Sequence, residues 1–141
     1  FMVLLSQAWA RCGLCLMWLE KDLNKHLKAL GRLKVGQMNK TEAAYNEVLK
    51  DMLLRGVISW YKFEGMKFRL ADNTFYTPDF AVMLTSGEIE IHEVKGSMRI
   101  FADDAKVKIK VAADIYPFNF YVITPKLKKD GCGFDKVKIG I

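Results

Sequence analysis

The chain reads as an α/β protein with a mixed central sheet, preceded by an extra amphipathic helix. Three observations predict this. Apolar residues recur every three or four positions in three separate stretches, the signature of helices with one buried face. Between and after them lie short runs rich in β-branched and aromatic residues, punctuated by glycine, proline and the Asp72-Asn73 pair. The 141 residues, 51% of them hydrophobic, suffice for a real core and argue against general disorder.

Residues 2–19 are mostly apolar but interrupted by Arg11 and Gly13, and fall short of a membrane span. From Leu16, the series Leu19, Leu23, Leu27 and Leu30 marks an amphipathic helix, with Lys21, Asp22, Lys25 and Lys28 on its polar face. Its plain role is packing, on the main domain or on a second copy. Acidic residues on the polar face weigh against a membrane-surface role, so no stable membrane association is expected. Gly31 and Gly36 mark a linker, giving an N-terminal extension of 1–37, a core of 38–125 and a basic tail of 126–141. Met38 also reads as an alternative start.

Asn39-Lys40-Thr41-Glu42 opens the next helix as a capping box, with Asn39 as cap and Glu42 three residues on. Tyr45, Leu49 and Leu53 form its expected apolar stripe, Glu42 shares that face, and Gly56 ends it. Strands are expected at 57–63, 66–70, 74–85 and 88–95, with a turn at Ala71-Asp72-Asn73 and Pro78 marking an edge or bulge. On the last of these, alternation puts Ile89, Ile91, Glu93 and Lys95 on one face, so Glu93 and Lys95 lie on the side committed to the core. Asp103-Asp104 start a helix running to about Tyr116, with Ala105, Ile109, Ala112 and Tyr116 as its stripe and Lys106 and Lys110 on one flank. Pro117 stops it, a buried strand follows at 118–123, and a short strand is expected at 134–139. In outline the order is α-β-β-β-α-β.

The net charge of +6 favours a polyanionic partner. From Lys95 to Lys129 there are eight basic side chains against three acidic ones (Asp103, Asp104, Asp114), so the excess sits in the C-terminal half. Three cysteines give no paired framework, and a reducing cytoplasm is the expected location. Cys12-x-x-Cys15 lacks a second ligand pair, since the histidines are His26 and His92 alone, so a closed zinc site is not expected.

The chemistry concentrates in Pro78-Asp79 followed, fourteen residues after the aspartate, by Glu93-Val94-Lys95. Two carboxylates and an ammonium brought together by neighbouring strands repel and desolvate one another, and a divalent cation relieves that cost. Together with Glu42 and the order of elements, these residues resemble the PD-(D/E)xK nuclease superfamily over about 38–123. The likeness is nearest to small phage and prophage endonucleases of the Holliday-junction resolvase type, and FRLADNTFYTPDFAVM and HEVKG carry it. Asp104-Ala105-Lys106 is a decoy of the same letters on a helix start.

The resemblance implies a restriction-endonuclease-like αβββαβ core and a DNA endonuclease dependent on Mg²⁺ or Mn²⁺, selective for branched DNA and working as a homodimer in a phage-infected or lysogenic bacterial cytoplasm. It implies Asp79 and Glu93 as metal-binding carboxylates and the Val94 carbonyl as a further ligand. Lys95 would orient the attacking water, and Glu42 would be an accessory carboxylate. DNA contacts would fall to Arg99, Lys106, Lys110, Lys126 and Lys128.

Plainer readings stand beside these. Asp79 suits a turn or bulge, Glu93 and Lys95 an exposed ion pair, Glu42 a cap alone, and Lys106, Lys108 and Lys110 a solvated helix surface. Trp60, Tyr61 and Phe63 suit the core better than base stacking, and His92 suits a structural or exposed position. The alternative function is a non-catalytic nucleic-acid-binding module that keeps the nuclease fold. A third, a peripheral membrane protein using residues 1–30, predicts liposome binding through that segment.

Overall fold

The computed structural model describes residues 36–101, 103–127 and 130–140. The N-terminal amphipathic helix, the Cys12-Cys15 pair and Lys128 lie outside the described residues. The chain divides into two compact units, Phe1–Gln37 and Met38–Ile141, and the second carries every element that follows.

Helix α1 spans Lys40–Leu54. The Asn39 side chain accepts from the Thr41 and Glu42 amides, and the Glu42 carboxylate reaches back to the Asn39 amide, which completes the capping box. Arg55 closes the helix, and Gly56 follows at a φ of 72° that a side chain would resist. Tyr45 and Leu49 are buried as expected, but Leu53 is 41% exposed. Val48 and Met52 pack in its place, so the apolar stripe turns away from Leu53. Asn39→Ala is expected to cost about 1 kcal/mol, read as a lower melting temperature, because two amides and the Glu42 anchor lose their partner.

Five strands separate the two helices, where four runs are expected: β1 Ile58–Phe63, β2 Phe68–Ala71, β3 Thr74–Tyr76, β4 Phe80–Leu84 and β5 Ile89–Val94. The single strand expected over 74–85 is cut at Pro78, and its halves belong to different sheets. Proline has no N–H for a ladder, so pairing stops there. β2 and β3 form a separate hairpin around Asp72-Asn73, with Asn73 at a φ of 52°. After a short 3₁₀ turn at Met98–Ile100 come α2 (Asp103–Ile115), β6 (Asn119–Pro125) and β7 (Phe134–Ile139).

The main sheet has the order β1-β4-β5-β6-β7, with β5 and β6 parallel and the other neighbours antiparallel. The described unit is therefore α/β, with a mixed five-stranded sheet and two helices. One face of the sheet packs Phe80, Val82, Val94 and Ile123 against Tyr45 and Leu49 of α1. The other packs Ala81, Ile91, Phe120 and Val122 against Ile109 and Ala112 of α2 and against Phe68 and Tyr76 of the hairpin. The period-2 alternation of β5 thus sends Ile91 to the α2 side and Val94 to the α1 side, as the sequence requires. Among the described residues, no helix is long and apolar enough to cross a membrane.

A carboxylate and lysine cluster at the broken end of β4

The site forms where β4 starts late. Phe80 pairs with His92 across β4 and β5. Extending that register by one residue sets Asp79 directly opposite Glu93, on the same face, where like charges oppose pairing. The Asp79 carboxylate instead accepts the Val94 amide at 2.6 Å, while its own carbonyl accepts from the Glu64 amide at 2.7 Å. Pro78 has no N–H to offer the Val94 carbonyl across the ladder, and the Val94 N–H is taken by the Asp79 side chain. A strand residue's N–H and C=O lie on one side of the strand, so the Val94 carbonyl opens toward the same gap.

Glu93 is 6% exposed. One carboxylate oxygen accepts from the Tyr76 hydroxyl at 2.7 Å, and the other meets the Lys95 ammonium at 2.7 Å. Lys95 is anchored by its amide to the Ile123 carbonyl, and its side chain keeps 27% exposure at the rim. The expected exposed ion pair is thus a half-buried one. Tyr76 was not foreseen in the sequence, because the hairpin that carries it contacts β5 only in three dimensions. The signal was present in the alternation of Phe68 and Tyr76 as inward-facing residues.

The electrostatics are those of crowded acids. Burial pushes the Asp79 carboxyl up to about 8, helped by the charges of Glu93 and Glu42, against the Val94 amide and Lys95, which pull it down. Burial pulls the Lys95 ammonium down, but Glu93, Asp79 and Glu42 outweigh it and hold the group above its ordinary range. Burial also raises Glu42, while its bond to Asn39 and the charge of Lys95 oppose the rise. Burial and the adjacent Glu93 charge keep the Tyr76 hydroxyl protonated as a donor.

Glu42 feels the charges of Glu93 and Lys95 across the end of the sheet, but both its oxygens bond Asn39, at 2.8 and 2.5 Å. Its place is the cap, and it acts on the site through its field. Among the described residues, no group of three or more Asp, Glu, His or Cys side chains stands ready to hold a metal ion. The donors present are nonetheless all oxygen: the Asp79 and Glu93 carboxylates and the Val94 carbonyl. That set fits Mg²⁺, which takes one or two carboxylates and keeps several of its waters.

The basic residues divide by position. A cleft of about 480 Å³ opens directly beyond Lys95, lined by Gly96, Ser97, Arg99, Thr124 and the acidic Asp130 and Asp135. Arg99 and the exposed Lys126 lie at this end of the sheet. Lys106 stands one turn into α2, 3.6 Å from Asp103 and 5.8 Å from the Phe101 ring centroid. Lys110 lies with Ala113 and Gly140 at the opposite end of the β5–β6–β7 ladder, away from the carboxylates. Asp104, in the decoy triplet, pairs with Lys108 at 3.2 Å on the helix surface.

His92 faces the other side of β5 from Glu93 and is buried, not exposed. Its Nδ1 lies 2.9 Å from the Tyr45 hydroxyl and its Nε2 lies 3.1 Å from Glu90, which also receives the Lys136 ammonium at 2.5 Å. Comparison of the chain with protein-family models, with characterised proteins and with solved structures finds no match.

Proposed function

We propose that the protein is a divalent-metal-dependent DNA endonuclease of the PD-(D/E)xK kind, acting on branched DNA. The observation that carries this reading is the interrupted β4 start. It places Asp79 against Glu93 and Val94, with Lys95 paired to Glu93 at the exposed rim. A stability-driven sequence gains little from a half-buried carboxylate beside another. A site for a cation gains a ligand set.

Asp79, Glu93 and the Val94 carbonyl would hold the cation, which supplies neutralisation of a phosphate oxygen and a more acidic water. The rest falls to the chain's own groups. The Val94 amide and the Tyr76 hydroxyl fix the orientations of Asp79 and Glu93. Lys95 presents a positive charge at the rim, where it orients the attacking water and offsets the charge that builds on the phosphate. Water oxygen bonds to phosphorus, the opposite P–O ester bond breaks, and the leaving alkoxide takes a proton. Arg99 and Lys126 supply backbone contacts at the same end of the sheet. Cutting two strands calls for two such sites, and a homodimer provides them.

The test is cleavage of supercoiled plasmid and of a four-way junction with Mg²⁺ or Mn²⁺. Cleavage by the wild type that disappears in EDTA and in Lys95→Ala is the expected result. Salt-sensitive DNA binding with no cleavage under either metal would overturn the hydrolase and leave a binding module on the same scaffold.

A further inference from the structure

The β2–β3 hairpin has two faces, and the site uses only one. Inward, Phe68 packs on Tyr116, Phe118 and Phe120 with ring centroids 4.8, 5.9 and 5.5 Å away, and Tyr76 bonds Glu93. The Tyr116 hydroxyl also donates to the Arg69 carbonyl at 2.7 Å, so the hairpin is pinned from below. Alternation turns Lys67, Arg69 and Phe75 outward. Phe75 is 44% exposed, and the Lys67 ammonium lies 4.6 Å from its ring centroid. Arg69 is its cross-strand partner, with a side chain 64% exposed and 3.4 Å from Asp72. An exposed aromatic ring with two cations beside it, on a rigid ribbon, matches what binds unpaired nucleotides: a π-face for the base and positive charge for the phosphate.

We propose that this outer face is a stacking platform for an unpaired DNA nucleotide that flanks the site across the hairpin. It takes its place in the reaction from the endonuclease reading, because Phe75 adjoins Tyr76 in the chain and Tyr76 touches Glu93. Duplex interiors hide the base faces that Phe75 would contact, whereas branch points and frayed ends expose them. The platform therefore supplies a physical basis for preferring branched substrates. A protein partner fits less well, since a single ring with a lysine over it offers little apolar area.

The test is binding by the full chain in EDTA to a fluorescent single strand, to its duplex, and to an abasic strand of equal length that keeps the phosphates and lacks the bases. Phe75→Ala is expected to weaken single-strand binding by about 5- to 100-fold, with abasic and duplex binding within about twofold of wild type. Phe75→Leu, which keeps apolar bulk, should behave like Phe75→Ala, and Phe75→Trp should bind like wild type. Unchanged single-strand binding in Phe75→Ala and Phe75→Leu would overturn the platform. So would an equal loss on the abasic strand, no binding by wild type, or a marked preference for an RNA strand. Platform behaviour without any cleavage under Mg²⁺ or Mn²⁺ would instead count against the hydrolase alone.

Discussion

Asp79→Asn is expected to abolish cleavage and, in the absence of divalent cations, to make the protein more stable at pH 8. Losing one anionic ligand from the site should cost at least ~10³-fold in rate, about 4 kcal/mol of transition-state stabilisation. The stability gain follows from the same crowding. Asp79 is pushed up to about 8 by burial first and by Glu93 second. For an acid raised in this way, the folded state holds a proton that the unfolded state has released. Stability therefore falls as pH climbs from about 4 to about 8. Asparagine keeps an oxygen to accept the Val94 amide and removes the charge.

A gain of about 1 kcal/mol would raise the melting temperature by roughly 4–8 °C at pH 8 and leave it nearly unchanged near pH 4. Wild type should recover the difference with Mg²⁺: at ten times the dissociation constant, the linkage is worth about 1.4 kcal/mol. The variant should show no such shift. A variant less stable than wild type at pH 8 in EDTA, or one that still cuts DNA, would show that Asp79 is a structural residue and not a strained ligand.

What could be read in the sequence was local. The capping box of Asn39 and Glu42, the helix stop at Gly56, and the alternation that puts Glu93 and Lys95 with Ile89 and Ile91 are properties of a few consecutive residues. What could not be read depends on which strand lies beside which. Pro78 signalled an interruption, but only the sheet order reveals that the chain leaves one sheet for another there. Leu53 had the right spacing for the core, yet α1 is rotated so that Val48 and Met52 take the contact. Tyr76 joins Glu93 from a hairpin seventeen residues away. Lys110 stands at the far end of the sheet from the carboxylates. In each case the missing information is a long-range packing choice, which no periodicity encodes.

The same limit hid the polar cluster behind the site, and there Glu90→Ala is expected to destabilise the fold by about 2 kcal/mol. Glu90, 6% exposed, accepts from Lys136 and from His92, and His92 in turn meets the Tyr45 hydroxyl of α1. One neutral tautomer satisfies both bonds of the ring: Nε2 donates to Glu90, and Nδ1 accepts from Tyr45. Removing the carboxylate leaves the buried Nε2–H without its acceptor. The Lys136 end is partly solvated, at 41% side-chain exposure, and rehydrates. The cost therefore stays below the 3–5 kcal/mol of a fully buried pair.

Burial raises the Glu90 carboxyl, but the bonds from His92 and Lys136 outweigh it and hold the group down at about 2. A depressed acid contributes stability that is present above its unfolded value of 4.5 and lost as pH falls toward about 2. Burial also lowers His92 against the pull of Glu90, so its contribution is present above about 6.5 and fades as pH falls below it. The melting temperatures of wild type and Glu90→Ala should thus differ by on the order of 10 °C at pH 7 and converge as pH falls from 4.5 toward about 2. Cleavage per folded molecule should be unchanged, because Glu90 faces α1 while Glu93 faces the hairpin. Parallel melting curves at every pH would mean that Glu90 is held by packing and not by its charge.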